Sequence, residues 1–209
     1  AANAAVNFAV SGFKTACLAR VGQDESGRAI IANLRQHGVI TSLVSSEKNR
    51  ETMISFILVT PGGERIIFTS RAANNDLRIS RQEERILKQA DWLYLASLPG
   101  DWLPAARKIF SLSGPKIAWN PGASQYQAGL KKIASFLKRT SVFCVNKDEA
   151  IELVLSDARY RGQSPAFLNN VKNLLVALKA AGPEIVLITS GQDGADVYDG
   201  HNFYHQAVF

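Results

Sequence analysis

Cysteine and histidine are scarce in this chain, with two and three copies among 209 residues, and no apolar run is long enough to span a bilayer. So few cysteines exclude a scaffold built on disulfides, and the lack of a long apolar run argues against a membrane role. Cys17 and Cys144 lie inside apolar, strand-like runs and read as buried free thiols, which fits a reducing cytoplasm. His37, His201 and His205 have no metal-ligand spacing and suit surface or hairpin positions. No Gly-x-Gly-x-x-Gly run follows a first strand, which sets aside a dinucleotide-binding oxidoreductase. Nor is positive charge concentrated. The net charge is +6, but Lys and Arg are scattered, with only short clusters such as Lys131-Lys132 and Lys138-Arg139. That distribution argues against a polynucleotide partner and favours a small ligand carrying phosphate.

What is present is a globular composition, 46% hydrophobic, in a chain long enough to bury a substantial core. With no internal repeat, low-complexity tract or long linker, residues 1–209 read as one α/β domain. Residues 1–10 are small and apolar and predict a buried helix stopped by Gly12; a strand is expected over 15–21. Asp24 is placed to cap a helix that runs to about His37, with Gly38 as its stop. Two strand-like runs, 52–59 and 65–69, flank "TPGGE" and predict a β-hairpin. From Ser80, whose spacing to Glu83 is that of a capping box, the pattern becomes alternating. Strands "DWLYLAS", "KIAW", "VFCV" and "IVLIT" are separated by helices near 103–112 and 130–138, from Lys147, and near 165–181. Such alternation with short connections means a mostly parallel sheet covered by helices.

Ligands of open parallel sheets bind outside the carboxyl ends of the strands. Four predicted strands deliver Ser97, Asn120-Pro121-Gly122, Asn146 and Thr189-Ser190-Gly191 to that rim. Each has a structural reading of its own. Asn146 with Glu149 has the spacing of an N-cap and its reciprocal acid, and the glycines of "TSGQDG" are needed wherever the backbone turns with positive φ. Their coincidence on one rim favours a nucleotide site: a glycine turn suits phosphate oxygens, and Glu149 suits Mg2+, directly or through water.

At this point the motifs resemble those of the ribokinase-like, or PfkB-type, carbohydrate kinases. "AANAAVNFAVSGFKTACLARVGQDESG" is similar to that family's Gly-x-Asn-x-Ala helix, the strand after it and its Gly-Asp-Asp-x-x-Gly loop, with Gln23 in place of the first Asp. "RAANNDL" is similar to its Gly-Ala-Asn-x-x-Leu stretch with Ala72 for Gly, "NKDEA" to Asn-x-x-Glu, and "TSGQDG" to Thr-x-Gly-x-x-Gly. The resemblance implies a ribokinase-like α/β fold in which the hairpin of about 51–70 contributes to a lid. It implies transfer of the γ-phosphoryl group of ATP, with Mg2+, to a hydroxyl of a sugar or nucleoside. Asn3 would contact the sugar, Asn146 and Glu149 would organise Mg2+ and phosphates, and Thr189, Gly191 and Gly194 would line the nucleotide site. Ser97 and the strand near Thr52 would border the substrate pocket or its lid. A homodimer is left open. Members begin with a strand and lid segment that would precede Ala1, and continue into Gly-Ala-Gly-Asp, whose Asp is the catalytic base and would lie beyond Phe209. Both ends are therefore expected to be internal to a longer enzyme, the chain alone to be inactive, and an open sheet edge or a broad apolar face to be visible. The alternatives are a nucleoside kinase of the same family, or a truncated relative that binds sugar or nucleotide without turnover.

Overall fold

The computed structural model describes residues 1–62, 65–70, 77–98 and 100–208. Most of the "RAANNDL" stretch and part of the "TPGGE" turn lie outside the described residues. The chain divides into two compact units: Ala1–Arg78 with Pro99–Asp101, and Ile79–Leu98 with Trp102–Phe209.

In the first unit, helix α1 (Ala2–Val10) ends as its sequence predicts. Gly12 takes φ 91°, and the N–H groups of Gly12 and Phe13 return to the carbonyls of Ala9 and Phe8. Strand β1 (Ala19–Gly22), helix α2 (Glu25–Gln36) and strand β2 (Val44–Glu47) follow, with β1 and β2 parallel. Their core is Ala5, Cys17, Leu34 and Val39, edged by Ala2, Val6, Ala9, Ile30 and Val44. Two expectations are corrected here. Helix α1 is not buried all round: only Ala5 is fully covered, because the helix packs through the stripe Ala2, Ala5, Val6, Ala9 and leaves Phe8 and Val10 outside. The strand expected over 15–21 also shortens, since Ala16 makes a single bridge to Ile40 and the ladder starts at Ala19.

The hairpin forms from β3 (Ile54–Val59) and β4 (Arg65–Ser70), antiparallel and in register from Ile54 opposite Ser70 to Val59 opposite Arg65. It is apolar on both faces and exposed on both, with Phe56 at 72% accessibility and Ile57, Leu58, Ile67 and Phe68 all open.

The hairpin's first leg is anchored by Thr52, which is only 3% exposed. The Asp24 carboxylate caps α2 by accepting from Gly27 N at 2.7 Å, and also accepts from Thr52 N and Thr52 Oγ1, both at 2.6 Å. Thr52 Oγ1 in turn accepts from Gly22 N at 2.9 Å. A side chain on Gly22 would meet the backbone of Arg50 and Thr52, so the close approach requires glycine. Led by the Thr52 hydroxyl, these donors hold Asp24 well below its ordinary 3.8, at about 2. A depressed carboxylate stabilises the fold fully above its unfolded value and loses that contribution as pH falls from near 3.8 through 2. We therefore expect the amide resonances of Gly27 and Thr52 to titrate with a midpoint near 2, and Asp24→Asn to abolish that titration and lower the melting temperature at pH 7 more than at pH 2. An ordinary carboxylate midpoint would refute the clamp.

The second unit alternates helix and strand: α3 (Arg81–Leu87), β5 (Trp92–Leu95), α4 (Leu103–Phe110), β6 (Lys116–Trp119), α5 (Ala123–Tyr126), α6 (Leu130–Leu137) and β7 (Val142–Asn146). Then come α7 (Lys147–Ser156), α8 (Pro165–Asn169), α9 (Val171–Lys179), β8 (Ile185–Thr189), β9 (Ala195–Tyr198) and β10 (Phe203–Gln206). Capping starts α3 as its spacing predicts: Ser80 Oγ accepts from Glu83 N, and the Glu83 carboxylate accepts from Ser80 N. The helix expected over 165–181 is instead two. At Asn170 the backbone leaves the helical region (φ −86°, ψ 107°), and its side chain accepts from Lys172 N to start α9. Asparagine gains more as a cap than inside a helix.

Six strands form one sheet in the order β10-β9-β8-β7-β6-β5, with β5 to β8 parallel and β9 and β10 antiparallel. Strand alternation puts Phe143, Val145, Val186 and Ile188 fully inside, against Leu153, Leu174, Leu175 and Leu178 of α7 and α9. Trp119 packs edge-on between Phe110 and Phe143, at centroid distances of 5.2 and 5.7 Å. This core fixes the strand ends that carry the site.

Candidate functional site

Because β5 to β8 are parallel neighbours, their carboxyl ends share one rim. Asn146, the last residue of β7, pairs with Thr189, the last of β8. It is also the N-cap of α7: Asn146 Oδ1 accepts from Glu149 N at 2.8 Å, while Glu149 Oε2 accepts from Asn146 N at 2.9 Å. The structural role read from the spacing is thus present, and it delivers the Glu149 carboxylate to the end of the strand.

Electrostatically, Glu149 is under pressure. Partial burial raises its pKa, the Asp148 and Glu152 charges raise it further, and the Asn146 N–H opposes them. Its field reaches its neighbours: burial, aided by Glu149, pushes the Cys144 thiol to about 11, and burial with Glu152 and Glu149 raises the Tyr126 hydroxyl. Cys144 is therefore an inert free thiol, as is the buried Cys17 among the described residues. A carboxylate whose charge is poorly compensated is one that a divalent cation would stabilise. Among the described residues no group of three His, Cys, Asp or Glu side chains could cage a metal ion. Without such a cage, Glu149 offers a cation one carboxylate, to be met directly or through water.

After Thr189 the chain makes a short 3-10 turn, Gly191–Asp193. Ser190 N donates to Gly194 O at 2.8 Å, closing the turn before β9. Gly194 has φ 85°, and a Cβ there would strike the carbonyl of Gln206, so this glycine is doubly required. Gly191 has φ 56° and open space around it, and Ser190 Oγ is buried with no hydrogen-bond partner among the described residues. Open room beside a glycine backbone and an orphaned hydroxyl beneath it fit a phosphate-bearing ligand.

Ser97 follows β5, three strands from β8, and is exposed. A Cβ on Gly122 would overlap the Ser97 hydroxyl, so the loops after β5 and β6 touch. What joins them is Gln125, which sequence reasoning missed. Its side chain is 0% exposed. Oε1 accepts from Gly122 N at 2.8 Å and Leu98 N at 3.2 Å, and Nε2 donates to Leu98 O at 2.7 Å and Ser124 Oγ at 2.6 Å. The signal was a glutamine three residues after Gly122, the N-cap of α5: a side chain at that position can reach back to the N-cap N–H, although glycine has none to return the bond. Asn120 is a brace: its side chain donates to Cys144 O at 2.9 Å and its backbone N to Leu95 O at 2.8 Å. Asn3 is the remaining predicted contact. It lies exposed on α1 in the first unit, its carbonyl accepting from the Asn7 side chain.

Residues 1–209 match the family described as pfkB family carbohydrate kinase. An uncharacterized sugar kinase of Archaeoglobus fulgidus is 25% identical over 193 residues, covering 90% of this chain and 71% of its own length. A ribokinase of Mus musculus is 29% identical over 206 residues, 92% of this chain and 57% of that protein. The structure of Arabidopsis thaliana ribokinase complexed with ribose and ATP superposes with a TM-score of 0.79 at 18% identity, over 100% of this chain and 65% of that one. The fold is that of ribokinase, and the chain spans little more than half of the mouse relative's length.

Proposed function

The chain belongs to the pfkB family of carbohydrate kinases, and on that premise we propose that it is part of an enzyme that transfers the γ-phosphoryl group of ATP to a sugar hydroxyl. The observation that carries this reading is the pairing of Asn146 with Thr189 at adjacent strand ends, with the Glu149 carboxylate bonded back to the Asn146 N–H and the glycine turn following Thr189. In that arrangement the turn's backbone holds phosphate oxygens, and the buried Ser190 hydroxyl finds its partner there. Glu149 would hold Mg2+ through water, and the ion would supply charge neutralisation at the phosphates. Ser97 and Asn3 are the candidate contacts of the sugar acceptor. The ribose and ATP bound by the Arabidopsis ribokinase support this substrate class. The paired absence of disulfides at Cys17 and Cys144 supports a cytoplasmic setting.

No Gly-x-Gly-Asp run occurs within the 209 residues. An anion hole and base of that kind supply most of phosphoryl-transfer catalysis, so activity rests on a longer chain. The test is ADP release with ATP, Mg2+ and a panel of sugars and nucleosides. The longer enzyme should release ADP in a sugar-dependent manner and the 209-residue chain should not; a folded longer protein that turns over no sugar overturns the reading, and turnover by nucleosides alone replaces sugar with nucleoside. Light scattering on the same preparation reads a second proposal, a homodimer that covers the apolar hairpin of β3 and β4. Two chain masses support it and one refutes it.

A further inference from the structure

The loops after β5 and β6 hold the exposed Ser97 in a buried frame, and we infer that Gln125 is a positioning residue that presents the Ser97 hydroxyl to the acceptor sugar, with Gly122 giving it room. The inference deepens the kinase reading and rests on it for the class of ligand.

Bracketing is the first ground. Ser97 lies between two residues that are pinned to the loop after β6. On one side Leu95 O accepts from Asn120 N at 2.8 Å. On the other, a single side-chain amide holds both backbone groups of Leu98: Gln125 Oε1 accepts from Leu98 N at 3.2 Å, and Nε2 donates to Leu98 O at 2.7 Å. Asn120 is itself tied to β7 through Cys144 O at 2.9 Å. Backbone fixed on both sides of a residue leaves its side chain little freedom beyond its own rotamers.

The division of the Gln125 bonds is the second. Starting α5 needs only the bond from Gly122 N to Oε1, at 2.8 Å. The two bonds to Leu98 reach 27 residues back along the chain and serve the Ser97 loop instead. Because Gln125 is 0% exposed, its amide cannot turn away without leaving those groups unmet in the interior.

Space is the third. Gly122 has φ −90°, a backbone conformation open to any residue, so no turn requires glycine there. What a side chain would meet is the Ser97 hydroxyl and Cβ. A serine hydroxyl both donates to and accepts from a sugar hydroxyl, and one already held in place loses less freedom on binding.

Two measurements test the mount and its purpose separately. In the 209-residue chain, amide nitrogen relaxation reads Ser97 without any ligand. Its order parameter should be about 0.85 in wild type and fall below about 0.6 in Gln125→Leu. In the longer enzyme, with the sugar it turns over fastest, Ser97→Ala should raise the KM for sugar about fivefold, the loss of one neutral hydrogen bond. Gln125→Leu should do the same per folded molecule. Gly122→Ala, which keeps every Gln125 bond, should match them by displacing the hydroxyl. The KM for ATP should stay within about twofold in each, whereas a general loosening of the fold would move both constants. Since Gln125 acts through Ser97, adding Gln125→Leu to Ser97→Ala should change the sugar KM by less than about twofold. An unchanged order parameter, an unchanged sugar KM in Ser97→Ala, or effects of the two substitutions that multiply in full overturns the inference. A longer enzyme that turns over no sugar, while the order parameter falls as expected, overturns the kinase reading and leaves the mounting of Ser97 by Gln125 in place.

Discussion

Glu149→Gln should lower kcat of the longer enzyme on the order of 100-fold, the usual loss when one preorganised electrostatic partner of phosphoryl transfer is removed, and raise the Mg2+ concentration it needs, while its melting temperature scarcely moves. The separation of the two effects follows from the geometry. Glutamine at the third helical position keeps an acceptor for Asn146 N, so the reciprocal cap that starts α7 survives. What disappears is the negative charge. That charge is disfavoured in the folded protein, since burial raises the Glu149 pKa above its ordinary 4.5. A raised carboxylate contributes stability below its unfolded value and loses it as pH rises through the folded one, so at pH 7 the neutral substitute is level with or slightly more stable than wild type. Steady-state kinetics across Mg2+ concentrations, with a melting curve for each protein, measure both quantities. A fall of several degrees with normal turnover per folded molecule would mean that Glu149 is only a cap.

Gln125→Leu carries the largest expected stability effect, a loss of about 3 kcal/mol. The side chain is fully buried and serves Gly122 N, Leu98 N and Leu98 O at once. Leucine fills the volume but leaves those backbone groups without partners, and each buried unmet group costs about 1–3 kcal/mol. Urea unfolding followed by tryptophan fluorescence reads the right unit, because Trp92, Trp102 and Trp119 all lie in it. Gln125→Glu keeps the acceptor but turns the donor into a second oxygen facing Leu98 O, so its loss should be larger at pH 7 and partly recovered near pH 4, where the carboxyl protonates. A loss below about 1 kcal/mol for the leucine variant would show that the two loops are held by other contacts.

The starts and stops of elements were largely legible in the sequence. Asp24 on α2, the Ser80–Glu83 pair on α3, the Asn146–Glu149 pair on α7 and Gly12 after α1 all act within a few residues of themselves, through hydrogen bonds whose geometry the local chain dictates. The parallel order of β5 to β8, and hence the rim that gathers Ser97, Asn146 and Thr189, followed from strand-helix alternation, which admits few arrangements. Contacts across long stretches of chain were not legible. Gln125 bonds a loop 27 residues away, and Thr52 meets Asp24 at a separation of 28, so a glutamine and a threonine with ordinary local settings became buried junctions. The break at Asn170 was open to either reading locally, since its sequence supports both one helix and a cap between two. Burial of α1 was likewise a question of what packs against it. Local hydrogen bonding selects each element in isolation, whereas burial depends on which distant surfaces the fold brings to it, and only the tertiary structure decides that.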